Sequence, residues 1–257
     1  MTNDDKSHES DAAYGSWHRR VLEGKGALFA VATTIAILIG GIVEIVPMYT
    51  AGAGPETAEW VSPYSPLEVA GRDIYIREGC YLCHSQWVRP MRAEVLCYGE
   101  WSRAPEYQYD RPFLLGSRRM GPDLHRLAQK YPDAWHYEHM SDPRSTSPGS
   151  VMPNYPWLLQ TTIDPGDIQA SVRALRKSGV PYTEAEIRGV DASLSTQGQQ
   201  IVNSLEGAGI QTQADREIVA LIAYLQRLGR EGKAYLGGQG SGGVGMGSGG
   251  SGSGGYE

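Results

Sequence analysis

The pattern of apolar and polar positions divides the chain into unlike parts. Residues 1–16 are polar and mixed in charge, which predicts a weakly ordered lead-in. Residues 17–49 form the next segment: His18, Arg19, Arg20 and Lys25 cluster just before a run that is apolar on all faces from Ala27 to Val43. The run continues as Glu44-Ile45-Val46-Pro47, and only Thr33 and Thr34 interrupt it ahead of Glu44. It is long enough to cross a bilayer core of about 30 Å. A buried helix of a globular core is the plainer rival, but the run is apolar on all faces and carries a basic flank on one side only. A cleaved leader ending near Ala51-Gly52-Ala53 is the other rival, but the run exceeds the apolar core of about 7–15 residues typical of such leaders. A retained transmembrane helix is therefore expected. Its basic flank places the N-terminus in the cytoplasm and everything after Pro47 outside. Glu44 reads two ways, as a carboxylate placed for function within the span or as one reaching the interface a turn away.

Residues 50–66, rich in Gly, Pro and Ser, read as a linker. From Leu67 to Glu78 the spacing of Leu67, Val69, Ala70, Ile74 and Tyr75 predicts a helix with one broad apolar face. A second stripe, Ile218, Leu221, Ile222 and Leu225, predicts a helix over Asp215–Leu228 that begins acidic and ends basic. Asp164 as N-cap and Pro165 at the first helical position predict a helix to Lys177. Residues 182–213 are polar, with a short helix expected near Thr183-Glu184-Ala185-Glu186. Leu124–Lys130 is expected to form a short helix after the Gly-Pro turn. Residues 231–257, Gly/Ser-rich from Gly237 to Gly255, read as a flexible tail. No internal repeat is present, and no strand–helix alternation. The fold expected for residues 67–230 is all-α.

The candidate chemistry lies directly after the first of these helices. Cys80-Tyr81-Leu82-Cys83-His84 is a C-x-x-C-H run, the attachment signature of a c-type haem. Two thiols three positions apart can add to the two vinyl groups of one porphyrin, and the adjoining histidine can ligate the iron. A thioredoxin-like pair would need a βαβ context, and a zinc ribbon would need a second cysteine pair. The chain holds three cysteines, and the third, Cys97, is expected to be a small buried apolar side chain. One haem c is expected, since the run occurs once. A helix leading into the run and another closing the domain are the plan of a class I-like cytochrome c domain, here tethered by one N-terminal transmembrane helix. Because c-type haem is attached outside the cytosol, the haem and the anchor agree on orientation. The net charge of −6 argues against a nucleic-acid partner.

The iron needs a ligand opposite His84. Met91, Met120, Met140, Met152, His125, His136 and His139 are the candidates. Met91 is too close in sequence to wrap the haem edge. Met152 is favoured, because Val151-Met152-Pro153-Asn154-Tyr155-Pro156-Trp157 fixes an extended loop that can hold a thioether. The three histidines are expected at the surface or in hydrogen bonds. In Met120-Gly121-Pro122-Asp123-Leu124, a rigid turn can present the Pro122 carbonyl to the Nδ1–H of His84, fixing the tautomer. Arg72, Arg77, Arg89, Arg92, Arg118 and Arg119 are candidates to pair with haem propionates.

Gly79–Gln86, Arg89-Pro90, Arg92-Ala93-Glu94, Gly116-Ser117-Arg118-Arg119, Gly121-Pro122-Asp123-Leu124, Asp142-Pro143-Arg144 and Met152-Pro153-x-Tyr155-Pro156-Trp157 together resemble the mono-haem membrane subunit of the cbb3-type cytochrome c oxidases. Gly71-Arg72-Asp73, Gly179-Val180-Pro181-Tyr182, Ala220–Gln226 and the anchor around Gly41–Pro47 are similar too. The likeness runs from about residue 18 to 230. It implies thioethers at Cys80 and Cys83 and iron ligands at His84 and Met152. It also implies a place in the bacterial inner membrane beside the catalytic haem–copper subunit that reduces O2, with the haem domain in the periplasm. Electrons would come from a di-haem cytochrome subunit or a soluble cytochrome c donor. The subunit itself would have no catalytic residue. A free-standing membrane-anchored cytochrome c is the alternative, and a peroxidase-like enzyme would need an open iron site.

Overall fold

A computed structural model describes Trp17, residues 19–50 and residues 58–240. The polar lead-in and most of the Gly/Ser tail lie outside the described residues. The chain divides into two units, Met1–Glu56 and Thr57–Glu257.

In the first unit a single π-helical turn, Arg19–Glu23, precedes helix α1, Gly26–Thr50. Its stretch Gly26–Pro47 is 22 residues long and reaches a mean hydropathy of 2.3 in its most apolar window. At about 1.5 Å per residue that is roughly 33 Å, enough to cross a bilayer core. The side chains described along it are almost all exposed. Thr34, which breaks the apolar run, turns its hydroxyl onto the Ala30 carbonyl at 2.8 Å. A lipid environment would therefore meet no unpaired hydroxyl at Thr34. This one candidate span fits a membrane-anchored protein.

The second unit is all-α, and no β-strand is present among the described residues. Its helices are α2 Pro66–Arg77, α3 Arg92–Tyr98, α4 Asp133–Ser141, α5 Pro143–Thr146, α6 Pro165–Lys177, α7 Glu184–Arg188, α8 Val190–Gly207, α9 Glu217–Arg227 and α10 Arg230–Gly240. Short 3-10 turns lie at Cys80–Leu82, Ala104–Tyr107 and Pro156–Leu159. Helix α2 begins with a capping box between Ser65 and Glu68, with Pro66 at its first position. It buries Leu67, Val69, Ala70, Ile74 and Tyr75 against Ile218, Leu221, Ile222 and Tyr224 of α9. The two helices meet at Gly71: a Cβ there would lie 2.7 Å from both the Ala220 carbonyl carbon and the Tyr224 Cβ, so only glycine permits the approach.

Several expectations from the sequence need correction. Residues 190–207 form one long helix where a polar stretch was expected. Its buried stripe, Val190, Leu194, Val202 and Leu205, is interrupted by the buried Gly198. Leu124–Lys130 forms turns and no helix. The Ala128 N–H donates to the Leu228 carbonyl at 3.1 Å and the Gln129 N–H to Gln226 at 2.9 Å, so α9 takes the donors a helix would use. The start of the expected flexible tail is helical as α10. Tyr235 stacks on Trp60 with ring centroids 4.6 Å apart, and Glu231 accepts from the Ser62 N–H at 3.0 Å, which gives α10 a surface to dock on. Cys97 is exposed rather than buried, because the buried side chain of α3 is Glu94. His136 is neither at the surface nor hydrogen-bonded: it is 1% exposed and both ring nitrogens lack a partner, while Tyr131 and Trp135 pack edge-on against its ring.

Candidate haem site

Helix α2 ends at Arg77, and the chain turns at once into Cys80–Leu82. The amides of Cys83 and His84 both donate to the Cys80 carbonyl, at 3.1 and 3.0 Å. This one turn gathers both thiols and the imidazole at the mouth of the core. Neither cysteine is in a disulfide, and both are half-buried. Burial, helped by the nearby Glu78 carboxylate, pushes the Cys80 thiol up to about 12. A redox-active cysteine pair needs the opposite, a depressed thiol, so the turn is ill suited to thioredoxin-like exchange.

The His84 Nδ1 lies 2.9 Å from the Pro122 carbonyl oxygen. Nδ1 carries the proton in that contact, which leaves Nε2, without a hydrogen bond among the described residues, as the nitrogen able to ligate. Burial holds the imidazole below the ordinary histidine value, against the pull of the Pro122 carbonyl and Asp123. The ring is thus kept in the neutral form that binds metal. Gly121 is pressed on the same ring: a Cβ there would sit 2.7 Å from Nδ1. Any larger residue would push His84 off the Pro122 carbonyl.

The loop carrying Met152 comes to the same region. The Trp157 Nε1–H donates to Glu78 at 3.2 Å, two residues before Cys80. Tyr155 lies within electrostatic reach of Cys80 and Cys83, and burial first, then those thiols, raise its hydroxyl to about 12. The Tyr155 amide donates to the Met140 carbonyl at 2.8 Å, which ties the loop to α4. Met152 is partly buried against the core, and no hydrogen bond engages its sulfur among the described residues. Leu82, Met120, Val151 and Trp157 remain exposed, with the Met120 sulfur 3.9 Å from that of Cys83.

Two accessible thiols on one turn, a neutral imidazole with one free nitrogen, a second soft donor on a tethered loop and apolar side chains left in solvent suit a flat apolar macrocycle carrying iron. The residues present fit a haem. When bound, it supplies a metal centre that takes up and releases one electron. The candidate propionate partners divide. The Arg72 guanidinium is spent on the carbonyls of Arg111, at 3.0 Å, and of Pro112. Arg77 donates two parallel hydrogen bonds to the Glu217 carboxylate at 2.7 and 2.6 Å. Arg89 pairs with Glu94, as does Arg119 at 2.7 Å. Arg92 and Arg118 are exposed, and no acidic partner engages either among the described residues.

What the sequence did not single out is the lattice behind the site. Gln86, 1% exposed, donates to the Tyr224 hydroxyl at 3.0 Å, and its carbonyl accepts from Tyr107 at 2.6 Å. Asp123 binds the loops of Ser85 and Trp87. Glu106 accepts from Arg126 and His125. The signal available was the clustering of Asp, Glu and Arg in short motifs without periodicity.

An all-α unit preceded in sequence by one candidate membrane span and carrying one C-x-x-C-H run fits the class of membrane-anchored mono-haem cytochromes. A family model described as cytochrome C oxidase, mono-heme subunit/FixO matches residues 19–231, and the chain belongs to that family. It is therefore a mono-haem subunit of a cytochrome c oxidase complex, with oxidase subunits as partners. No curated protein matches the chain significantly.

Proposed function

We propose that this chain is the electron-transfer subunit of a cbb3-type haem–copper oxidase, with one haem c joined through thioethers to Cys80 and Cys83. His84 is the ligand on one face and Met152 the ligand on the other. The observation that carries this reading is the His84 geometry: Nδ1 is committed to the Pro122 carbonyl and Nε2 is free, beside two unpaired thiols. The Gly121 contact holds the ring in that orientation. A thioether at the second position favours reduced iron and raises the potential, which suits an electron carrier next to an O2-reducing site.

The partners in this reading are the catalytic haem–copper subunit, which receives the electron, and a di-haem subunit or soluble cytochrome c, which delivers it. The single basic-flanked helix supports an N-terminus in the cytoplasm and a haem unit in the periplasm of a bacterial inner membrane. Exposed Trp87, Met91, Leu96, Trp101, Phe113 and Leu115 lie between His84 and Met120. Exposed apolar side chains in this stretch of the chain support contact with a partner subunit.

The test is capture of the complex through this chain in mild detergent, with reduced-minus-oxidised spectra and O2 uptake. Bands of both c- and b-type haem with O2 consumption support the reading. A lone c-type band without O2 uptake means a free-standing anchored cytochrome. In Met152→Ala, haem stays covalently attached while the potential falls and the sixth site opens to added ligands. An unchanged spectrum and potential would remove Met152 from the ligand set.

A further inference from the structure

Behind His84 lies a buried carboxylate whose partners are all donors. The Asp123 side chain is 0% exposed. Its Oδ2 accepts from the Ser85 hydroxyl at 2.6 Å and the Trp87 amide at 2.8 Å. Its Oδ1 accepts from the His125 amide at 2.9 Å. One carboxylate therefore joins the strand of chain just after His84 to the one just after Pro122. Two backbone bonds run in parallel: the Leu124 amide to the Ser85 carbonyl at 2.8 Å, and the Gly121 amide to the Cys83 carbonyl at 3.1 Å. Pro122 lies between these ties, so its carbonyl has little freedom to leave Nδ1.

The charge of Asp123 is balanced from one side. The Arg119 Nη2 is 3.4 Å from Oδ2, and its Nε donates to the Ser85 hydroxyl at 2.6 Å. That hydroxyl thus accepts from the guanidinium and donates to the carboxylate. Arg119 is itself held by Glu94 at 2.7 Å and by the Trp87 carbonyl at 2.8 Å. In a setting sheltered from water, removing one member of such a set leaves the other's field uncompensated.

We propose that Asp123 is the positioning residue of the His84 ligand: its carboxylate clamps the Pro122 carbonyl onto Nδ1–H, and the balance between Asp123 and Arg119 sets the reduction potential of an iron bound at Nε2. This rests on the haem-ligand reading of His84. Two effects share a sign. A firm Nδ1–H bond to a carbonyl makes the imidazole more basic and favours oxidised iron, and a nearby anion does the same by Coulomb attraction. Asp123 therefore lowers the potential and Arg119 raises it.

The experiment is a redox titration of the haem-loaded full chain in detergent, for the wild type, Asp123→Asn, Arg119→Gln and Ser85→Ala, with circular dichroism on each. Asp123→Asn is expected to raise the potential. Outer partners of metal ligands alter site properties by about tenfold or more. A tenfold change in the reduced-to-oxidised ratio is about 59 mV for one electron. Arg119→Gln is expected to move the potential the opposite way, down. Ser85→Ala carries no charge change and should give a smaller rise, with faster exchange of the His84 Nδ1 proton by NMR. General loosening of the fold would move all three variants in one direction, and that result overturns the proposal, as does no shift in any. Where Asp123→Asn fails to load haem, the opposed shifts of Arg119→Gln and Ser85→Ala decide. Wild-type chain lacking a covalent c-type spectrum would fail the haem reading itself, a result distinct from failure of the clamp.

Discussion

Between Pro66 and Arg77, and again between Glu217 and Arg227, the buried side chains that fix the chain are mainly apolar, Leu67, Val69, Ile74, Leu221 and Ile222 among them, with Glu68, Arg72, Glu217 and Arg227 as the charged ones. Between Ser85 and Arg126 they are Ser85, Glu94, Glu106, Asp123 and Arg126, equally buried but polar or charged. Both regions touch the candidate haem turn, which is joined to α2 at one end and bonded to the Gly121 loop at the other. The first region gets its stability from area removed from water. The second spends much of that gain on desolvating charges and recovers it through hydrogen bonds. What the second obtains is a fixed direction for each loop. Packing of apolar side chains alone does not aim a carbonyl oxygen at one ring nitrogen, whereas a carboxylate held by three donors does.

The sharpest way to break the first region is at its closest approach. Gly71→Leu sets a branched side chain against the Ala220 carbonyl and the Tyr224 Cβ, where even a methyl has no room. Overpacking at such a point costs about 3 kcal/mol or more. The full chain in detergent should lose most of its cooperative thermal transition, followed by circular dichroism. A normal transition would mean that α2 and α9 do not cross at this residue.

The second region should break at Glu106. Burial opposes its charge, but hydrogen bonds from Arg126 and His125 outweigh burial and hold the carboxyl at about 2. A carboxyl depressed in the folded state stabilises the protein above its ordinary value near 4.5, and that contribution disappears as pH falls toward 2. Glu106→Gln leaves Arg126 buried without its anion, at a cost of about 3 kcal/mol near pH 7. It should also flatten the loss of stability between pH 4.5 and 2. An acid limb as steep as in the wild type would assign that limb to other carboxylates, Glu94 first, whose carboxyl is held at about 2 chiefly by Arg119.

The contrast also decides what was legible in the sequence. Helices α2, α6 and α9 were readable because periodicity and capping residues suffice to specify them. A short helix near Thr183 was expected and α7 is there, with Thr183 as its cap, and Asp164 caps α6 by accepting from the Gly166 amide at 2.8 Å. Asp164→Ala should therefore cost only about 1 kcal/mol, measurable as a modest fall in Tm. A loss as large as that of Gly71→Leu would show that this exposed cap does more than end a helix. Helix α8 escaped notice because Gly198 occupies a buried position in its stripe. The loops from Ser85 to Asp123 carry no period, so their contacts were not derivable. The Cys80–His84 run and the Gly-Pro turn were legible as chemistry, since residue type and spacing alone state what those groups can bind. The pairing of Arg77, Arg89 and Arg119 with carboxylates was not, because a guanidinium's partner depends on where the loops fold.

The smallest effect belongs to helix α3, where the two kinds of region meet. Its buried member is Glu94, and the next turn presents Leu96, 76% exposed, and Cys97, also exposed. Cys97→Ser changes an exposed side chain, so stability should change by less than about 0.5 kcal/mol. A maleimide probe separates the three cysteines without denaturant. In haem-loaded chain Cys80 and Cys83 are expected to be blocked, so Cys97 alone should label. Labelling of the chain within a captured oxidase then asks what α3 does in the assembly. If Cys97 is protected there and reactive in the isolated chain, a partner covers α3, and Leu96→Asp should weaken capture of the other subunits while leaving Tm unchanged. If Cys97 labels equally in both, α3 faces water in the complex, and the apolar surface between His84 and Met120 meets its partner through Trp87, Phe113 and Leu115 instead.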